Sequence, residues 1–258
     1  MIPTIVYYLV PTIVILISVR KYRESKWGIG YEISKELCKR GALVVMACRD
    51  KQKALRAINK IQRELSTKNL VFMELNLASL SSIKAFADNF KSKFDKIDIL
   101  VNNAGVSFDD SSNKVTEDGF EIHFGVNHLG HFLLTNFLLD KFISGSRIVI
   151  VSSLLHQKGN IDFGWVLTNL FRNHTRRMLM YFALIIPAAF LFMRSPKQGA
   201  QTPIFCATDP SIENESGCFY RDCRKFPSKV QTCDAISYEL WSISEQMLSN
   251  KGISLNTL

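Results

Sequence analysis

The sequence predicts an α/β protein built on a doubly wound parallel sheet, and three observations carry that prediction. Short, continuous apolar runs alternate with longer stretches of helical periodicity, as in repeated βαβ units. A Gly-x-Gly, Gly28-Ile29-Gly30, stands where the first of those helices begins. The composition is globular, 258 residues with 47% hydrophobic and 21% charged, which suits one large domain plus an appendage.

The elements can be justified in chain order. Residues 1–19 carry no charge and form an apolar run just long enough to cross a bilayer, so they are expected to be an N-terminal transmembrane helix. Residues 20–27 are a basic linker with Arg20, Lys21, Arg23 and Lys26, and positive charge on that side predicts a cytoplasmic domain on a single-pass anchor. A cleaved signal peptide would need a basic start and a small-residue cleavage site, and neither is present. From Tyr31 to Arg40 Ile33 and Leu37 recur at helical spacing, and Gly41 stops the helix. Ala42 to Cys48 is a buried strand of the parallel type. Lys51 to Leu65 reads as a charged amphipathic helix, Leu70 to Leu75 as a strand, Ser79 to Phe94 as a helix opened by its serine, and Ile97 to Val101 as a strand. Glu117 to Phe142 then reads as one long helix and Ser146 to Ser152 as the next strand. The domain is thus expected over 28–163, with a substrate-side region over 164–258 that includes a second apolar run at 178–193. That run is short for a span and broken by Pro187, which favours an interfacial or substrate-covering helix.

The net charge of +9 suits phosphates or lipid head groups, while no nucleic-acid-binding motif accompanies it. None of the six cysteines forms a CxxC pair, so reduced thiols are the simplest reading.

Three features point to a dinucleotide. Glycines at a strand-to-helix turn let the backbone approach a pyrophosphate, and the helix N-terminus offers N–H groups and a positive dipole end. Arg49 comes directly after the strand Ala42 to Cys48, where an acidic residue would grip a ribose 2′-hydroxyl and an arginine accommodates a 2′-phosphate, which favours NADP over NAD. Asn102-Asn103-Ala104-Gly105 ends the strand Ile97 to Val101 with small residues, leaving room for the adenine-ribose side of the cofactor.

Taken with Ala47-Cys48-Arg49-Asp50, Asn127-His128-Leu129-Gly130-His131 and Val151-Ser152-Ser153, this ordered set resembles the classical short-chain dehydrogenases/reductases. Within them it is similar to the membrane-anchored retinol dehydrogenase group and the X-linked dehydrogenase/reductase. The resemblance implies a Rossmann-type domain and hydride transfer between NADP(H) and the alcohol or carbonyl of a lipophilic, retinol- or retinal-like substrate. It implies that Ser153 hydrogen-bonds the substrate oxygen, that Asn127 holds a water in the proton relay, and that Gly28, Ile29, Gly30, Arg49, Asn76, Asn103, Ala104, Gly105 and Thr168 line the cofactor. It places the protein at a membrane, the endoplasmic reticulum being the expected one, and allows a homo-oligomer.

The resemblance also breaks. The family's Tyr-x-x-x-Lys, expected on a helix after Ser153, is not there, because the chain passes through Gly159 to Phe163 into Gly164 to Asn169, which looks like the segment beyond the next strand. A helix-strand unit is therefore expected to be missing. The first strand and its Thr-Gly are missing too, their places before Gly28 being held by Arg23 and Glu24, and Asn76 replaces the group's usual aspartate. Tyr31 to Lys35 has the right spacing on the wrong helix, and Tyr220 with Arg224 is equally displaced. A positioned general acid is worth roughly 10²–10⁴ in rate, so the expectation is weak activity or none. The alternative is a non-catalytic, membrane-associated binding or regulatory protein of the same descent.

Overall fold

The computed structural model describes residues 27–108, 114–153, 194–227 and 234–255. Within them α1 (Ile29–Lys39), β1 (Val44–Cys48), α2 (Lys51–Leu65), β2 (Leu70–Glu74), α3 (Leu80–Lys93) and β3 (Ile97–Asn102) keep to the predicted alternation. One helical run comes next, made of α4 (Ile122–Phe124), a π turn (Gly125–Leu129) and α5 (Gly130–Phe137), and it leads through a 3₁₀ turn to β4 (Phe142–Ile150). After the gap come α6 (Pro196–Gly199), α7 (Gln201–Thr208), a hairpin of β5 (Tyr220–Arg221) and β6 (Arg224–Lys225), and α8 (Asp234–Ser249).

Several boundaries differ from expectation for local reasons. Gly41, at φ +90, turns the chain out of α1, so β1 begins only at Val44. The predicted long helix starts five residues late. Glu117 and Asp118 are spent elsewhere, the Glu117 amide donating to the Ala78 carbonyl and the Asp118 carboxylate accepting from the Leu80 amide at 2.8 Å. Gly119, at φ +85, completes that turn. Ser79 precedes α3 as predicted, yet its hydroxyl makes no cap bond. It shares a hydrogen bond with Ser81 instead, and Asp118 satisfies the first amide of the helix from 38 residues away.

The strands are parallel but do not form one continuous sheet among the described residues. β1 pairs with β2 in unbroken register from Val44↔Leu70 to Cys48↔Glu74, and β3 pairs with β4 from Ile97↔Phe142 to Asn102↔Ile150 with one shift between Ile97 and Ile99. The two pairs stay separate. A βαβ connection sets the strand before a helix beside the strand after it. Residues before α1 other than Trp27 and Gly28 lie outside the described residues, and among the described ones β1 pairs with β2 alone.

Helices nevertheless tie the pairs together on both faces. Ile33 and Leu37 of α1 pack with Val149, Ala200, Ile204 and Ala207, and both Val44 and the β3 residues Ile99 and Val101 lean on that cluster. On the other face Val45, Val71 and Leu100 pack on a larger core of Met73, Ile83, Phe86, Leu129, Leu133 and Leu248. No described helix is long and apolar enough to cross a membrane; the runs at 1–19 and 178–193 lie outside the described residues.

Candidate dinucleotide site

Parallel strands end at one rim, and the predicted residues collect there. Arg49 comes after β1, Asn76 after β2, Asn103 to Gly105 after β3, and Ser153 lies just beyond β4, while α1 starts its first turn at the break between the two strand pairs. Ligands bind such sheets where the winding reverses, outside the carboxyl ends of the strands.

The glycine turn is built for close approach. Gly28 caps α1 in extended conformation, at φ −81, and a Cβ added there would meet nothing within 4 Å. Neither backbone angle nor packing therefore requires glycine at 28, which leaves room for an incoming group as the physical reason for a bare backbone. Gly30 is different, because a Cβ there would lie 2.7 Å from Asn103 Nδ2. That contact brings the glycine turn against the loop after β3.

Across the loop stands the helical run. Asn127 binds Val106 twice, its Oδ1 accepting from the Val106 amide at 2.7 Å and its Nδ2 donating to the Val106 carbonyl at 2.9 Å. His131 Nε2 lies 2.8 Å from the Ala104 carbonyl oxygen, and Asn102 Nδ2 donates to Thr135 Oγ1 at 3.1 Å. The π turn sits under Asn127, and tight packing accompanies it. A Cβ on Gly130 would come within 2.7 Å of the Leu77 carbonyl oxygen. Burial holds the His131 imidazole below the usual histidine range, and burial together with the nearby His131 does the same for His128. His128 Nε2 meets Ser244 Oγ of α8 at 2.9 Å, which moors the C-terminal helix to this run.

The predicted residues divide into four groups. Gly28, Ile29, Gly30, Asn103, Ala104, Gly105 and Asn127 are brought together. Arg49 is exposed at the rim and has no ion-pair partner among the described residues, and Ser153 is exposed at the end of β4. Asn76 is already used: its Nδ2 donates to Glu117 Oε1 at 2.9 Å and its Oδ1 accepts from the Ala78 amide at 3.1 Å. The Asn127 side chain is likewise occupied by Val106. Thr168 lies outside the described residues. Sequence reasoning did not single out His131 or Thr135 as site residues, although their spacing from Asn127, four and eight residues on, was legible as one helix face.

Neither displaced tyrosine reaches this crevice with a cation beside it. The Tyr31 hydroxyl is buried without a hydrogen-bond partner and stacks near Trp27, with burial and then Glu64 pushing its pKa up, while Lys35 is paired with Glu64. Tyr220 is bound to Glu215 beside the C-terminal hairpin.

The family sequence model described as short chain dehydrogenase matches residues 25–164. The chain belongs to the short-chain dehydrogenases. Human retinol dehydrogenase 14 is 34% identical over 86% of this short-chain dehydrogenase and 83% of the relative. The bovine dehydrogenase/reductase SDR family member 13 is 32% identical over 85% and 70%. The alignment with the human protein runs over 282 positions but takes in 86% of 258 residues, about 222, so about 60 of its positions have no residue in this chain. Internal segments present in the relative are thus missing here, in keeping with the absent helix-strand unit. Among solved structures, a Mycobacterium paratuberculosis protein superposes with TM-score 0.57 at 27% identity, covering 86% of this short-chain dehydrogenase and 90% of that chain. An NADPH-bound short chain oxidoreductase of Pseudomonas aeruginosa, described as having an atypical catalytic center, shares the fold at TM-score 0.57 and 18% identity, over 75% and 90%.

Proposed function

We propose that the crevice binds NADP(H) in preference to NAD(H), and that the protein transfers hydride to or from a lipophilic, retinoid-like alcohol or carbonyl slowly. The observation that carries the cofactor reading is the convergence of the open Gly28 turn and the Asn103 to Gly105 loop at the α1 N-terminus, with Arg49 exposed at the end of β1 and without an ion-pair partner among the described residues. The glycine turn would receive the pyrophosphate, the small loop residues the adenine ribose, and Arg49 the 2′-phosphate. When bound, the nicotinamide supplies or accepts the hydride. Ser153 would hold the substrate oxygen through its hydroxyl. No tyrosine–lysine pair among the described residues stands beside it to move the proton, so the step is left to water and is slow. That same observation favours a second reading, a binding protein without turnover.

A titration separates these readings. Intrinsic fluorescence of the full chain should saturate with NADPH and bind NADH at least about tenfold more weakly, a difference near 1.4 kcal/mol. Arg49→Ala should remove that preference. Absence of saturation with either nucleotide would sink the cofactor reading. Saturation without retinal-dependent NADPH oxidation would leave the binding protein.

A further inference from the structure

The loop after β3 has no regular hydrogen bonding of its own between Asn103 and Phe108, yet the cofactor reading asks it to hold one wall of the crevice. Four side chains fasten it. Thr135, His131, Asn127 and His123 stand four residues apart on the helical run and bind Asn102, Ala104, Val106 and Phe108, two residues apart on the loop. Two residues of extended chain advance about 6.6 Å and four residues of helix about 6 Å, so alternate loop residues stay level with successive helical turns. Four α-helical residues overshoot one revolution by about 40°. The wider π turn at Gly125–Leu129 takes more residues per revolution, which lessens that drift at the Asn127 end.

We propose that His131 is a positioning residue for the cofactor loop, acting as an inner rung of this ladder through an Nε2–H bond to the Ala104 carbonyl. The inference rests on reading the crevice as a dinucleotide site. A carbonyl oxygen can only accept, so Nε2 carries the proton. In the neutral ring Nδ1 is then an acceptor, and it is buried without a partner. Retaining a polar ring whose other nitrogen goes unsatisfied costs free energy that an apolar side chain would not, so the Ala104 bond must offset it. Ala104 lies between Asn103, which abuts Gly30, and Gly105, whose added Cβ would sit 3.4 Å from Asn127 Oδ1. Releasing the His131 rung frees the stretch of loop that faces the glycine turn, while the neighbouring rungs at Asn102 and Val106 hold its ends.

Two substitutions in the full chain test this. His131→Leu fills the space without a donor, and His131→Gln restores an N–H near the Nε2 position. Amide exchange in 103–106 should rise about tenfold in the leucine variant and return towards the parent value in the glutamine variant. Exchange in 44–48 should be unchanged in both, which controls for global loosening. NADPH affinity should fall about tenfold and recover in the same order. A role in packing alone gives the reverse, with leucine harmless and glutamine disruptive, and that result overturns the proposal. So does loop exchange that leucine leaves at the parent value. If the parent chain binds no NADPH, the cofactor reading fails, whereas the exchange pattern still decides the ladder.

Discussion

The two strand pairs were built from the same kind of sequence and reached different ends. β1 and β2 pair in unbroken register, and α2 covers them with Ala57, Ile58 and Ile61, the last fully buried. β3 and β4 carry a register shift, and the far strand leaves Ile148 44% and Ile150 72% exposed. The strand pairing of the first pair and the helix between its strands all lie within residues 44–74. The second pair joins strands whose nearest ends, Asn102 and Phe142, are separated by residues 103–141, with the helical run between them.

The largest test of this contrast is a pair of truncations. Ile61→Ala should cost about 2–5 kcal/mol, as expected for a fully buried aliphatic side chain. Ile150→Ala should stay within about 0.5 kcal/mol. Urea unfolding tracked by circular dichroism measures both. An equal cost at the two positions would mean that the outer face of β4 is covered in solution, and the contrast would break.

Helix caps show the same division on a smaller scale. Asp50 caps α2 from the neighbouring position, accepting from the Lys53 amide at 2.8 Å, whereas α3 takes Asp118 from a distant turn. Both Asp50→Ala and Asp118→Ala should cost about 1 kcal/mol. Only the second should also raise amide exchange in 114–120, because only that cap joins two segments. Matching exchange profiles in the two variants would remove the distinction.

Sequence reading went furthest where information is local. The spacing of Ile33 and Leu37, the run from Ala42 to Cys48 and the alternation up to Ile97 gave the order of elements, because period and propensity act within a few residues. Ser79 was expected to cap α3, and nothing near it shows that Asp118 would do so. The π turn was hidden as well, since Glu117 to Phe142 was read as one long helix and nothing local shows that Leu77 presses on Gly130. At the site, residue type located Asn127 and Asn103 but not their bonds. Asn127 was expected to hold a water in the proton relay, and what residue type did not show is that its side chain binds Val106 through both its oxygen and its nitrogen.

The pH dependence should track the buried imidazoles. Both His128 and His131 are held below the usual value near 6.5, so the native state resists protonation that the unfolded chain accepts. Their contribution is complete above about pH 6.5 and is lost as pH falls from there towards the lowered native values, because the unfolded state then binds more protons. His131→Gln should flatten that part of the stability curve, measured by urea midpoints between about pH 5 and 7. An unchanged slope would show that His131 does not titrate differently on folding.

The smallest expected effect concerns the tyrosine–lysine pair on α1. Lys35 joins α1 to α2 through Glu64, which Lys60 also contacts, and all three side chains are about a third or more exposed. Exposed pairs of this kind contribute up to about 1 kcal/mol, so Lys35→Ala should move stability by no more than that. Its effect on turnover is the sharper measurement. A lysine engaged with Glu64 on the far end of a buried, unpartnered Tyr31 has no route to a substrate oxygen at Ser153, and retinal-dependent NADPH oxidation should be the same in Lys35→Ala as in the parent chain. A loss of about tenfold or more would place Tyr31 and Lys35 in the reaction after all. In that case the chemistry would belong to the α1–α2 side of the molecule rather than to the rim at Ser153.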